Sequence, residues 1–322
     1  MIDKIFFHVT KRCNLKCRYC YINATFDGDD EITLVSAKNL LNDVISISPQ
    51  KIVFTGGEPL FREDIFDMVN EFRNSAKKHN IIMVLSTNGT LITDKNAEII
   101  LDNFDEVRIS IDGKKEINDH FRGVGTFENI IKAIDLLRQK NCEPIIGITV
   151  TRNNYNELKS FFHYLISEKQ INKISLNILR PLGRANDDYN KLACSLYDAD
   201  KALSEFLIEY FGCLGAVDKK LEKNNSFKNC GVGSYLNIYP DGSVYPCHML
   251  SYSEFCLGNI NEASLISIIN DSNHLVKLSK FDANSLNLDN NSLVRAIRDD
   301  FCLGMVCDSL SNRESILRYL NE

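Results

Sequence analysis

Cys13, Cys17 and Cys20 lie within eight residues, directly after a short apolar stretch from Lys4 to Val9. Four thiolates are the usual complement of a cubane iron–sulfur cluster or a structural zinc site. Three thiolates leave one metal position open, and an open position is reactive: the amine and carboxylate of an amino acid can chelate it. The alternative is a zinc loop whose fourth ligand, His8 or a distant cysteine, comes from elsewhere. Zinc loops favour paired C-x2-C units, and the spacing here is C-x3-C-x2-C. The chain has 11 cysteines in 322 residues. An odd count without a secretory signal makes a disulfide framework a poor account of them.

Other short motifs fall where strands should end. Gly56-Gly57-Glu58-Pro59 follows a second strand. Paired glycines allow close backbone approach, and a carboxylate beside them accepts from an ammonium group; alone, the pair also marks a simple turn. Thr87, Asn88 and Gly89 end a third strand, where a hydrogen-bonded turn is an equal reading. Ser110 and Asp112 end a fourth, and strand alternation places them on one face. Arg122 follows closely and reads either as an anion clamp or as a surface residue. Toward the C-terminus, Cys230 and Cys247 bracket a hairpin signal, Pro240-Asp241-Gly242, that brings their thiols together. Cys142, Cys194 and Cys213 have no partner at ligand spacing and read as buried, inert thiols.

These motifs need a scaffold that gathers strand ends. Strand-like runs at 4–9, 51–55, 81–86, 106–111, 144–151 and 173–179 alternate with helix-sized segments. The segments at 33–46, 64–78, 126–140 and 154–168 carry helical spacing or caps. Six such units predict parallel pairing with right-handed crossovers, in a partial (β/α)6 barrel with ligands at the C-terminal strand ends. A helix around Tyr197 to Phe211 closes the repeat, and the tail from about Ala263 reads as helical with a polar break at 284–291. A boundary near residue 215 gives domains 1–214 and 215–322.

The bulk numbers set limits. The composition, 44% hydrophobic and 25% charged, is that of an ordinary globular chain. No apolar run is long enough for a membrane span, and the expected location is cytoplasmic. A net charge of −6 argues against a nucleic-acid partner.

The C-x3-C-x2-C loop, with Tyr19 before its last cysteine, resembles the signature of the radical S-adenosylmethionine (SAM) superfamily. The resemblance implies a four-iron, four-sulfur cluster held by Cys13, Cys17 and Cys20, whose unique iron binds SAM. Reductive cleavage of SAM then yields a 5′-deoxyadenosyl radical that abstracts hydrogen from a substrate. By the same resemblance Gly56, Gly57 and Glu58 grip the methionyl amine. Tyr19, Asn88, Ser110, Asp112, Arg122 and Leu182 complete the cofactor site, with Arg122 on the methionyl carboxylate and Leu182 over the adenine.

The C-terminal pattern is similar to the SPASM and twitch extensions of these enzymes, which hold auxiliary clusters. A full SPASM tail carries a longer cysteine run. Here only Cys302 and Cys307 follow, so the resemblance implies one auxiliary 4Fe-4S cluster on Cys230, Cys247, Cys302 and Cys307. Cys256 is an alternative ligand, a hydrogen-donating thiol acting in catalysis, or a small buried hydrophobe.

The expected activity is radical modification of a ribosomally made peptide or protein by crosslinking, epimerisation or oxidation. An electron donor such as flavodoxin or ferredoxin would supply the electron. No leader-binding module is expected ahead of the barrel. The alternatives are a small-molecule substrate (a sugar alcohol, nucleoside or tetrapyrrole) and a non-catalytic metal scaffold or sensor.

Overall fold

A computed structural model describes residues 2–28, 31–194, 232–280, 316–318 and 320–321. Nine strands of the described residues form one sheet in the order β6-β5-β4-β3-β2-β1-β7-β8-β9. The first six are β1 (Lys4–Thr10), β2 (Lys51–Gly56), β3 (Ile82–Thr87), β4 (Glu106–Ser110), β5 (Ile145–Val150) and β6 (Ile174–Ile178). They pair in sequence order and in parallel, as expected of a partial barrel.

Alternation explains both faces of the sheet. On β1, Ile5, Phe7 and Val9 are fully buried and join the core under the helices. Lys4, Phe6, His8 and Thr10 therefore point into the barrel. The covering helices are α1 (Leu34–Ile47), α2 (Ile65–Lys78), α3 (Asp94–Asn103), α4 (Lys115–Arg122), α5 (Thr126–Gln139) and α6 (Leu158–His163). Thr33 caps α1 by accepting a hydrogen bond from the Ser36 amide at 3.1 Å, as its sequence position predicts.

Three details depart from the sequence reading. α3 and α4 are additional helices; both are short, and their polar faces obscured the apolar stripe. The predicted helix at 154–168 is α6 followed by a π turn, Tyr164–Glu168. The hairpin is present as β7 (Tyr235–Ile238) and β8 (Ser243–Tyr245), but β7 also pairs in parallel with β1, so it extends the barrel sheet. The strand β9 (Gly258–Asn259) pairs with β8.

A helix α7 (Ala185–Leu192) follows β6, and α8 (Leu265–Asp271) and α9 (Asn273–Ser279) follow β9. The expected helix at 197–211, the polar break at 284–291, the boundary near 215, and Cys213, Cys230, Cys302 and Cys307 all lie outside the described residues. Among the described residues no helix is long and apolar enough to cross a membrane.

Candidate cofactor and metal site

The three-cysteine loop leaves β1 at the C-terminal edge of the barrel and is tied shut at its base. Cys13 N donates to Thr25 O at 2.8 Å, and Thr25 N donates to Lys11 O at 3.3 Å. Amides also point at the sulfurs. Leu15 N donates to Cys13 Sγ and Ala24 N to Cys20 Sγ, each at 3.3 Å. Burial pushes the Cys13 thiol up to about 12 and raises Cys17, with Arg122 opposing. Buried thiols of this kind stay protonated until a metal displaces the proton.

Among the described residues no three His, Cys, Asp or Glu side chains converge as a single-ion site requires. A cubane takes one thiolate at each of several irons, so thiols spread around a loop and fed by amide N–H groups suit it. Cys13 and Cys20, each with an amide N–H on its sulfur, fit such a cluster.

The glycine pair packs against this loop. Gly57 N donates to Thr10 O at 2.8 Å and Glu58 N to Arg12 O at 2.9 Å. A Cβ on Gly57 would lie 2.1 Å from Arg12 O, so no other residue allows this approach. Glu58 is 0% exposed. Its Oε1 accepts from Thr87 Oγ1 at 2.7 Å and Leu60 N at 3.1 Å, and its Oε2 accepts from Asn88 N at 2.7 Å. The carboxylate thereby joins the ends of β2 and β3. Burial pushes its carboxyl up to about 7, against the hydrogen bonds that lower it. Asn88 continues the link: its Nδ2 donates to Asn14 Oδ1 at 2.9 Å and faces Cys13 Sγ at 3.9 Å.

On the opposite side, Tyr19, Asp112 and Arg122 form one buried unit. Arg122 donates from Nε to Asp112 Oδ2 at 2.6 Å and from Nη2 to Asp112 Oδ1 at 3.1 Å. Nη2 also donates to the Tyr19 hydroxyl at 2.8 Å, and that hydroxyl donates to Asp112. Burial alone would lower the Arg122 pKa; the Asp112 carboxylate reverses this and raises it. One guanidinium edge is thus committed within the chain, leaving Nη1 for an anion. Ser110 ends β4 half-buried, paired in register with Gly147. α4 also touches the loop, through Arg18 N donating to Phe121 O at 3.0 Å.

Sequence reasoning missed Arg184. Its Nε donates to Cys17 O and its Nη1 to Ala24 O, both at 2.8 Å, while its amide donates to Cys20 O at 3.0 Å. Gly183 adopts φ +55, and a Cβ there would lie 2.3 Å from Cys20 O. The turn Pro181-Leu182-Gly183-Arg184 is thus seated on the cysteine loop. Turn chemistry was the only available signal. Leu182 is half-buried in that turn, and Leu182 O accepts from Ala185 N at 3.1 Å as α7 begins.

At the hairpin, Cys247 Sγ accepts from Met249 N at 3.4 Å. Cys256 Sγ donates to Gly258 O at 3.4 Å. Cys142 and Cys194 are half-buried against the core. His8 stacks on Tyr239 at 4.6 Å and meets His248 edge-on at 5.4 Å. Burial holds the His8 pKa well below the ordinary histidine range and puts His248 at about 4.

A parallel-strand barrel that carries a three-cysteine loop at its C-terminal edge is an architecture suited to an iron–sulfur enzyme of the radical type. Residues 7–165 match the radical SAM superfamily and residues 230–293 match SPASM, an iron–sulfur cluster-binding domain. The chain belongs to the radical SAM superfamily. Its cofactors are an iron–sulfur cluster with SAM, and iron–sulfur in the C-terminal domain.

Three curated relatives frame the comparison. An uncharacterized protein of Methanocaldococcus jannaschii is 32% identical over 268 residues, 81% of this chain and 89% of that one. The cysteine-type anaerobic sulfatase-maturating enzyme of Clostridium perfringens is 30% identical over 309 residues, 83% and 80%. The pre-heme d1 synthase of Dinoroseobacter shibae is 31% identical over 201 residues, 62% of this chain and 47% of that one. The chain therefore spans about half the length of this last relative.

Two solved structures share the fold. Native anSMEcpe with bound AdoMet has a TM-score of 0.70 at 21% identity, covering 98% of this chain and 96% of that one. Streptococcus suis SuiB bound to S-adenosylmethionine has 0.73 at 16% identity, covering 97% and 75%.

Proposed function

We propose that this radical SAM enzyme abstracts a hydrogen atom from a peptide or protein substrate. The observation that carries the reading is the sequence match to the sulfatase-maturating enzyme, which runs through 309 residues and across both domain matches. The matches to the pre-heme d1 synthase and to an AdoMet-dependent heme synthase of Methanosarcina barkeri, the latter 28% identical over 287 residues, favour a second reading, a tetrapyrrole substrate.

In this reading Cys13, Cys17 and Cys20 hold the cluster. Bound together, cluster and SAM supply the 5′-deoxyadenosyl radical. The chain's own residues bind, orient and exclude water. Gly56 and Gly57 let the β2 loop reach the cysteine loop, where they and Glu58 would hold the methionyl amine, with Asn88 beside them in the cofactor site. Ser110 and the free Nη1 edge of Arg122 receive the methionyl carboxylate, while Asp112 and Tyr19 keep that guanidinium in place. Leu182 lies against the adenine. Residues 1–214 form the radical domain and 215–322 the auxiliary one, with Cys230, Cys247, Cys302 and Cys307 as its ligands. A flavodoxin or ferredoxin supplies the electron.

The test uses anaerobically reconstituted protein, which should hold roughly eight irons per chain if both sites carry cubanes. With a strong reductant it should form 5′-deoxyadenosine. Formation should rise with cysteine- or serine-containing peptides, whose mass should change. Stimulation by a tetrapyrrole and by no peptide would overturn the peptide reading.

A further inference from the structure

The barrel interior holds a cation that the cofactor site does not use. Arg108 lies on β4, one alternation below Ser110, and so points into the barrel about 7 Å deeper. Its guanidinium lies across β5 at Gly147, where a Cβ would be 2.9 Å from Nε. On β6 it is met only by neutral groups: Nη2 donates to Ser175 Oγ and to Asn177 Oδ1, each at 3.0 Å. Among the described residues no carboxylate pairs with it. The neighbouring acid, Glu106, is taken by Lys51 at 2.7 and 2.8 Å. The other nearby cation, Lys4, sits over the rings of Phe6 and Tyr235 at 5.7 and 5.6 Å.

A second observation points to a ligand in the same interior. Tyr21 descends from the cysteine loop, and its hydroxyl lies 3.4 Å from His8 Nδ1. Beyond it, His8 lies against the Asn237 side chain, and His248 Nδ1 is buried without a hydrogen-bond partner among the described residues. Buried polar atoms rarely stay unsatisfied. His248 adjoins His8 on one inner wall, built from β1, β7 and the turn after β8. The interior thus carries a cation without a carboxylate partner on one wall and an unpartnered imidazole nitrogen on another.

We propose that Arg108 receives a carboxylate of the substrate inside the barrel. A planar guanidinium with free N–H groups suits a carboxylate. Anchored at that depth, the substrate rises past Tyr21 toward the cysteine loop, where the radical forms. The inference rests on the radical-enzyme reading and not on the choice of a peptide. A carboxylate can come from a peptide C-terminus, an acidic side chain or a tetrapyrrole propionate.

The test is saturation-transfer NMR on the oxidised holoenzyme with SAM, using three acid–amide probe pairs. These are propionate and propionamide, acetyl-Ala-Ala with a free or amidated C-terminus, and acetyl-Ala-Glu-Ala-amide beside its Gln counterpart. At least one acid should bind about tenfold tighter than its amide, and the pair that does so identifies the source. Arg108→Gln should abolish that preference, and Arg108→Lys should keep part of it. Arg138→Gln, at an exposed arginine that reaches Gln170, should leave it unchanged. Equal binding of every acid and amide by the wild type overturns the proposal whether or not the variants fold. So does a preference that survives in Arg108→Gln. Peptide-stimulated 5′-deoxyadenosine formation without any acid preference would sink this subsite and leave the peptide reading standing. An Arg108-dependent preference without peptide turnover would do the reverse.

Discussion

Arg122 meets Asp112 edge-on, with Nε and Nη2 on the two carboxylate oxygens at 2.6 and 3.1 Å, in a setting where Asp112 is 0% exposed. A buried pair of this kind makes each partner depend on the other, because removing one leaves an uncompensated charge.

Asp112→Asn should therefore destabilise the protein by about 3 kcal/mol. Adding Arg122→Gln should cost little more, since the stranded cation is gone. A double-mutant cycle on urea midpoints measures this. Strictly additive losses would mean that the two residues act independently.

Arg184 closes the cysteine loop from a position 167 residues away, through charge-assisted bonds worth roughly 1.5–3 kcal/mol each. Arg184→Ala should lower the iron retained after a chelator challenge, and Arg184→Lys should restore part of it. Iron content is the readout. Unchanged retention in Arg184→Ala would show that the loop holds its shape alone.

Gly183 and Gly125 separate close approach from backbone conformation. Both have positive φ, +55 and +81, but a Cβ on Gly125 meets nothing within 4 Å. Gly125→Ala should cost about 1 kcal/mol. Gly183→Ala should cost clearly more and should also lower cluster loading, because it drives Cys20 away. Equal losses of stability would contradict the seating of the β6 turn on the loop.

Glu58 makes stability pH-dependent. Its carboxyl is raised to about 7 in the folded chain by burial and ionises in the ordinary glutamate range, about 4.3, when unfolded. Between those values the folded state holds a proton that the unfolded state has lost. This contribution is complete below the ordinary range and is lost as pH rises through about 7. Urea midpoints of cluster-free wild type should fall relative to Glu58→Gln between about pH 5 and pH 8. Parallel profiles would rule the contribution out.

Cys256→Ala tests the remaining thiol. Its sulfur donates to Gly258 O. If Cys256 is a hydrogen donor, the variant should keep its iron and still cleave SAM, while product formation falls. Lost iron would make Cys256 a ligand instead.

What the sequence determined by itself was local. The spacing of Cys13, Cys17 and Cys20 marked a candidate metal-binding loop, because ligand spacing is a property of a few consecutive residues. The six strands were legible because alternation and helical spacing repeat within one element. The glycines at 56 and 57 were legible as a place of close approach, though not that Thr10 and Arg12 are what they approach.

Tertiary structure decided the partners. Arg184 reaching Cys17, Tyr19 reaching Asp112, and β7 joining β1 all link positions far apart in the chain. Which side chains meet across the barrel depends on strand register and on which face each residue occupies. A one-residue slip would turn His8 and Arg108 from the interior to the helix side. The cysteine loop was therefore written in its own residues, while the means of holding it became visible only once the strands had closed around it.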